Sequence, residues 1–246
     1  MVGKSLPTRS QLRYEMRNIY VQYPRLYLPL ARLRHSSELG SRAVDSDTDL
    51  VIEGYPRSAN SFAFRAFTLA QSRPMRVAHQ LHAPAQIIGA AKMGIPALLL
   101  IRDPEEAILS RTLLFGYPYD TVTPAMKEYL RFHEATLPYR EHYLLATFDA
   151  VTSDFGAVIR ALNRRFGTEF EEFEHTEENV KRCFDLMEQR NRQIRGSLNE
   201  VTVSRPSEER RALKESLRSR FRADSVADLR ERVYGVYHTL MRQVDI

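Results

Sequence analysis

Asp49-Leu50-Val51-Ile52-Glu53-Gly54-Tyr55-Pro56-Arg57-Ser58-Ala59-Asn60-Ser61-Phe62 decides how this chain is read. Leu50 to Ile52 is a short apolar run of the kind that forms a buried strand, and it breaks at Gly54. Pro56 and a group of small polar residues make a turn, after which Phe62, Ala66 and Leu69 are spaced for one helix face. Strand, tight turn and helix in this order make a phosphate-binding loop, in which backbone N–H groups and the helix N-terminus face an anion. The Gly-Lys-Ser/Thr ending of a nucleoside-triphosphatase loop is absent. Arg57 among small polar residues points instead to an anion carried without the usual magnesium triphosphate.

Three further segments extend the pattern. Pro96-Ala97-Leu98-Leu99-Leu100-Ile101-Arg102 reads as a buried strand ending in an arginine, and Asp103-Pro104 starts a helix that carries Ser110. A guanidinium offers phosphate a two-pronged donor and a hydroxyl adds one more. Met75 to Pro84 reads as a short strand and turn with His79 and His82. Two histidines without further His, Cys or clustered carboxylates nearby do not compose a metal site. Tyr143 to Asp149 reads as another strand, and Asp154 starts a helix with Phe155, Val158, Ile159, Leu162 and Phe166 on one face. Four strand candidates, near 50–54, 76–79, 97–101 and 143–147, thus alternate with helices. The expected fold is α/β, a three-layer sandwich around a central parallel sheet with a P-loop-type phosphate-binding loop and extra helices. Arg57, His82 and Arg102 each fall at or just after a strand's carboxyl end, where such sheets place ligands.

These motifs, taken together, resemble the sulfotransferases that use 3′-phosphoadenosine 5′-phosphosulfate (PAPS). Tyr55 to Phe62 looks like their 5′-phosphosulfate loop, Y-P-[KR]-S-G-[TS]-[TS]-[WFY], with Ala59 for Gly, Asn60 for the first Thr and Phe62 for the aromatic. Arg102 and Ser110 match the 3′-phosphate segment R-[ND]-P-x-[DE]-x-x-x-S at its spacing. His82, two residues before Pro84, fits the place of the family's catalytic base, although Gln80 stands where the family has lysine. Phe148 falls where the family's tyrosine touches adenine, and Ser204-Arg205-Pro206 looks like a variant of the loop that closes over the cofactor. The resemblance implies a sulfotransferase with PAPS as co-substrate and no metal. Arg57 would neutralise charge on the transferring group and His82 would take the acceptor's proton. Arg57, Ser58, Ala59, Asn60, Ser61, Phe62, Arg102, Ser110, Phe148, Ser204 and Arg205 would contact the cofactor. The acceptor would be a small molecule, carbohydrate or lipid with a hydroxyl or amine, chosen in part by Tyr117 and Tyr119. A P-loop nucleotide kinase, or a relative that binds nucleotide without chemistry, is the alternative.

With 246 residues the chain suits one domain, a core over 49–246 behind an N-terminal helical extension over 1–48, with 36–48 as a Ser- and Asp-rich linker. The net charge of +5 does not imply nucleic acid, because the arginines are spread over several helices and no nucleic-acid-binding motif appears. A lone Cys183 and the lack of a signal-peptide core lead to a cytoplasmic expectation. Arg9, Arg13 and Arg17 form a basic stripe beside an apolar one of Leu12, Met16, Ile19, Tyr20 and Tyr23. Such a helix either docks on the domain or makes a peripheral membrane contact.

Overall fold

Four apolar runs pair side by side in one parallel sheet. β1 (Leu50–Gly54), β2 (Val77–His79), β3 (Ala97–Ile101) and β4 (Leu144–Thr147) lie in the order β2-β1-β3-β4, with Ile52 opposite both His79 and Leu98. The order reverses between β1 and β3, so the switch point lies between the strand that leads to Arg57 and the strand that leads to Arg102. The computed structural model describes residues 9–37, 40–115, 122–195 and 208–246.

Alternate strand residues feed two separate cores, as the period of a strand requires. Val51, Leu99, Ile101 and Leu145 face helices α2 (Pro24–His35), α4 (Pro84–Met93), α6 (Thr123–Thr136) and α11 (Ala227–Met241), through Leu28, Ile87, Met126 and Val236. Leu50, Ile52, Leu98, Leu100 and Leu144 face α3 (Asn60–Ala70), α8 (Phe155–Phe166) and α9 (Glu177–Arg195), through Phe67, Ile159, Leu162 and Cys183. Each such side chain contributes ~1.5–3 kcal/mol on burial. The expected three-layer α/β sandwich is therefore present, with every residue of β1 and β3 buried because both faces are covered.

Short backbone contacts close both sheet edges. His79 N donates to Arg42 O at the β2 edge, and Thr147 N donates to Ile246 O at the β4 edge. Asp245 holds the second closure: its carboxylate accepts from Leu145 N at 2.7 Å and from Arg140 Nη2 at 2.7 Å. Covered edges cannot template pairing with another chain. The first closure corrects the linker reading of 36–48. Ala43 and Val44 are fully buried, Val44 N donates to Gln86 Oε1 at 2.8 Å, and Arg32 Nη2 donates to Val44 O at 2.6 Å. Two small apolar residues inside a polar run wedge between α2 and α4, a pattern too short for composition to reveal.

Helix α1 (Arg9–Tyr20) docks through polar contacts. Tyr14 Oη donates to Glu128 at 2.9 Å, Arg17 Nη2 donates to Leu81 O at 3.1 Å, and Arg131 pairs with Glu15 at 2.6 Å. The downstream helix behaves as its pattern requires: Asp154 caps α8 by accepting from Ala157 N, and Gly167 ends it at φ 65°.

Candidate functional site

The loop after β1 is built tightly enough to exclude most alternatives at Gly54. A Cβ there would lie 2.6 Å from Leu100 O and 3.0 Å from Asn60 Oδ1, so only glycine lets β1, β3 and the loop meet. Tyr55 is fully buried and anchors the loop by donating to Ala125 O at 3.0 Å. Asn60 Nδ2 reaches back to Tyr55 O at 3.0 Å and closes the turn. Arg57 and Ala59 sit at φ 75° and 68°, the left-handed region that L residues avoid. Ala59 thus holds the conformation for which the resembling pattern has glycine. It is also the N-cap of α3 and leaves that helix without a side-chain cap or an acid in its first turn. An uncapped helix N-terminus carries unsatisfied N–H donors and a partial positive charge. Ser58 is fully buried, and its hydroxyl meets no hydrogen-bond partner among the described residues.

Arg102 arrives from the end of β3 and locks onto this loop. Its Nη1 donates to Arg57 O at 3.0 Å, its guanidinium lies 4.0 Å over the Phe148 ring, and its own carbonyl accepts from Tyr129 Oη at 3.0 Å. Arg57 Nε donates to Ser110 Oγ at 2.9 Å, on α5 (Pro104–Phe115). The structure therefore brings Arg57, Arg102, Ser110 and Phe148 together around one loop from three separate stretches of sequence. Arg102 also approaches Glu106 at 3.6 Å, but that carboxylate is already held by Lys214 at 2.6 Å and Arg218 at 3.1 Å, from α10 (Glu208–Arg222). Lys214 and the neighbouring cations hold Glu106 below the ordinary carboxylate range, although burial opposes them. Phe148, half-buried at the start of α7 (Phe148–Ser153), packs under the arginine and supports it.

The second loop follows β2 and is organised by a residue that sequence reasoning did not single out. Glu53 is fully buried. It accepts from Leu81 N and His82 N at 3.1 Å each and from Gly54 N at 3.2 Å. Burial raises its carboxyl to about 7, against the pull of those three N–H groups. Its signal was legible: a lone acid in an otherwise apolar buried strand is costly unless it is bonded. Gln80 and His82 also have positive φ, 55° and 51°; with Arg57 and Ala59 they are the non-glycine residues of the described chain in that region. Gln80 Nε2 donates to Ser61 Oγ at 2.6 Å, and Arg42 Nη2 donates to Gln80 O at 2.9 Å, so this loop is tied to the first.

The two histidines separate cleanly. The His82 ring lies 2.9 Å through Nδ1 from Gly54 O and 3.6 Å from Glu53 Oε1, with a quarter of the side chain exposed. A carbonyl can only accept, so Nδ1 carries the proton and Nε2 keeps its lone pair. Burial, reinforced by Arg111, Arg17 and Arg42, holds the ring below the usual imidazole range and thus neutral at pH 7. His79 is buried, stacked on Phe64 at 3.6 Å, and turned by Nδ1 to Val77 O at 2.8 Å. Burial depresses it to about 3, and Arg42, Arg190 and Arg65 push the same way.

One expected contact falls elsewhere. The Phe62 ring is only 4% exposed and lies among Phe155, Phe173, His175 and Phe184, at centroid distances of 5.8–6.5 Å. It serves the core. Ser204, Arg205, Tyr117 and Tyr119 lie outside the described residues. Helix α10 delivers Lys214, Arg218 and Arg222 to the carboxylates Glu105 and Glu106 at the start of α5.

No protein-family model matches the chain, and no curated protein does. In the course of its backbone the protein is similar to a solved sulfotransferase. That structure is mouse sulfotransferase SULT7A1 complexed with PAP; the match is 12% identical, covers 80% of this chain and 90% of that one, and has a TM-score of 0.40. A likeness this distant assigns no role to any residue.

Proposed function

We propose that the protein is a PAPS-dependent sulfotransferase that transfers a sulfuryl group to a hydroxyl or amine of a small-molecule, carbohydrate or lipid acceptor. One observation carries the reading. Arg102 and Ser110 are each bonded to Arg57, so the donors suited to a terminal phosphate meet the phosphate loop at the switch point of the sheet. A ligand with two anionic ends fits that donor set. The uncapped N-terminus of α3, the buried Ser58 hydroxyl and Arg57 suit a 5′-phosphosulfate, and Arg102 with Ser110 suits a 3′-phosphate.

PAPS, when bound, supplies the sulfuryl group and leaves as the 3′,5′-bisphosphate. The chain's own contribution is positioning and charge. Arg57 meets negative charge as it builds on the leaving oxygen, from a backbone held rigid by Arg102 and Asn60. His82 Nε2 takes the acceptor's proton as its oxygen or nitrogen bonds to sulfur. Gly54 O keeps the required tautomer, and the depressed pKa keeps the base unprotonated. Glu53 acts one step back, holding the His82 backbone in its left-handed conformation.

Calorimetry tests the reading directly. The 3′,5′-bisphosphate should bind the full chain at least tenfold more tightly than adenosine 5′-phosphate, because each charge-assisted contact is worth about 1.5–3 kcal/mol. Equal affinities, or a preference for ATP with magnesium, would replace the sulfotransferase reading with that of a nucleotide kinase or another nucleotide binder.

A further inference from the structure

Seven of the eight large apolar side chains that the described residues leave exposed lie between Leu12 and Leu33. They range from 50% exposed for Ile19 to 80% for Leu33. On α1, Leu12, Met16 and Ile19 follow one another at helical spacing, and Tyr23 continues the line. On α2, Leu26, Leu30 and Leu33 do the same, while Tyr27, Leu28 and Ala31 fill the core on the opposite side. The eighth, Met93, is at the end of α4. Helix α2 crosses α4 so closely that a Cβ on Gly89 would lie 2.9 Å from Leu28 Cδ1. Single exposed leucines need no explanation, but two full helical stripes on neighbouring helices do.

The charges around the stripes choose the occupant. Residues 9–35 hold six arginines and one acid, Glu15, which is already paired with Arg131. Arg17 and Arg32 turn inward to Leu81 O and Val44 O. Arg9, Arg13, Arg25 and Arg34 are exposed and have no carboxylate within ion-pair reach among the described residues. Arg9 and Arg13 border the Leu12–Met16 stripe, and Arg25 and Arg34 border the Leu26–Leu33 stripe. A second copy laid on this face by two-fold symmetry would set arginine against arginine. A surface of negatively charged headgroups over hydrocarbon matches both the charge and the apolar stripe. No helix among the described residues is long and apolar enough to cross a membrane, so the contact lies in the interface plane.

We infer that α1 and α2 together form a docking face for an anionic lipid bilayer, with Leu12, Met16, Leu26, Leu30 and Leu33 inserted and Arg9, Arg13, Arg25 and Arg34 on the headgroups. This stands independently of the proposed transfer reaction.

The test is co-sedimentation of the full chain with extruded vesicles of phosphatidylcholine alone, or containing about one third phosphatidylglycerol, at low salt. Binding should occur with the anionic vesicles, fall steeply with added salt, and be weak on the neutral ones. L26E/L30E changes exposed positions only and should lower partitioning by more than tenfold while leaving the thermal midpoint in place. If it fails to fold, R9Q/R13Q/R25Q/R34Q serves instead, with roughly a fivefold loss for each charge removed. Absence of binding to anionic vesicles, or equal binding to neutral ones, would overturn the proposal. A wild-type dimer in light scattering that becomes a monomer in L30E would also overturn it, by assigning the face to a second copy.

Discussion

The loops after β1 and β2 leave adjacent strands side by side, and each holds two non-glycine residues at positive φ. They are held by opposite chemistry. The first is fastened from outside by neutral and cationic donors: Tyr55 to α6, Asn60 to Tyr55, and Arg102 to Arg57. The second is fastened from beneath by a buried acid, Glu53, which takes the Leu81 and His82 amides and sits beside the imidazole. Left-handed residues of this kind cost on the order of 1–3 kcal/mol each and persist only where the surroundings over-determine them. On the proposed function the first loop receives an anion and the second presents a neutral base; Glu53 is bonded to two amides of the second loop and, at Gly54, to the root of the first. In that reading the contrast separates a binding loop from a positioning loop, and four experiments address it.

The largest expected effect concerns the base. His82→Ala should lower transfer by roughly 10²–10⁴, while the affinity for the 3′,5′-bisphosphate stays within a few-fold. Because the folded pKa of His82 is depressed, the wild-type acid limb of kcat/KM should lie below 6.5, the ring being neutral and active above it. His79→Ala removes a buried ring that faces the core and should act on stability, not on the acid limb. A His82→Ala enzyme with full turnover on a genuine acceptor would end the assignment.

Next comes the acid beneath the second loop. The folded pKa of Glu53, about 7, lies above the 4.5 of an ordinary glutamate. The native state therefore holds the extra proton between those values, and stability falls as pH rises from 4.5 to 7. At 1.36 kcal/mol per unit this is worth about 3 kcal/mol. Glu53→Gln keeps an acceptor for the two amides and cannot ionise. Urea midpoints should show the variant gaining on the wild type between pH 5 and pH 8. A difference that does not change with pH would mean that Glu53 is not ionising in this range.

Arg102→Ala addresses the first loop. It removes the bond to Arg57 O and the proposed donor to a 3′-phosphate. Bisphosphate affinity should fall by roughly 10- to 100-fold, and that for adenosine 5′-phosphosulfate by much less. Equal losses would reduce Arg102 to a loop brace. The smallest effect is Ala59→Gly: relief of the left-handed strain at φ 68°, partly offset by glycine's greater freedom when unfolded, should stabilise the protein by about 0.5–1 kcal/mol. A lower thermal midpoint would show that the alanine methyl is used for packing.

The primary structure alone determined the sheet and its ligand end. Apolar runs between helical patterns can bury their residues in a parallel sheet covered on both faces, and Arg57, His82 and Arg102 each lie at or just after a strand's carboxyl end. Tertiary structure decided what each side chain faces. Phe62 became core because Phe155, Phe173 and Phe184 arrive around it from α8, α9 and the segment between them. Phe148 became a platform because Arg102 lies over it, and Ala43-Val44 became a wedge because α2 and α4 leave a gap. Glu53 acquired its raised pKa only when two strands and a loop removed its water. The division has a physical cause. Periodicity and turn chemistry act between residues near in sequence and are written locally, whereas desolvation and ring packing depend on neighbours that only the folded chain supplies.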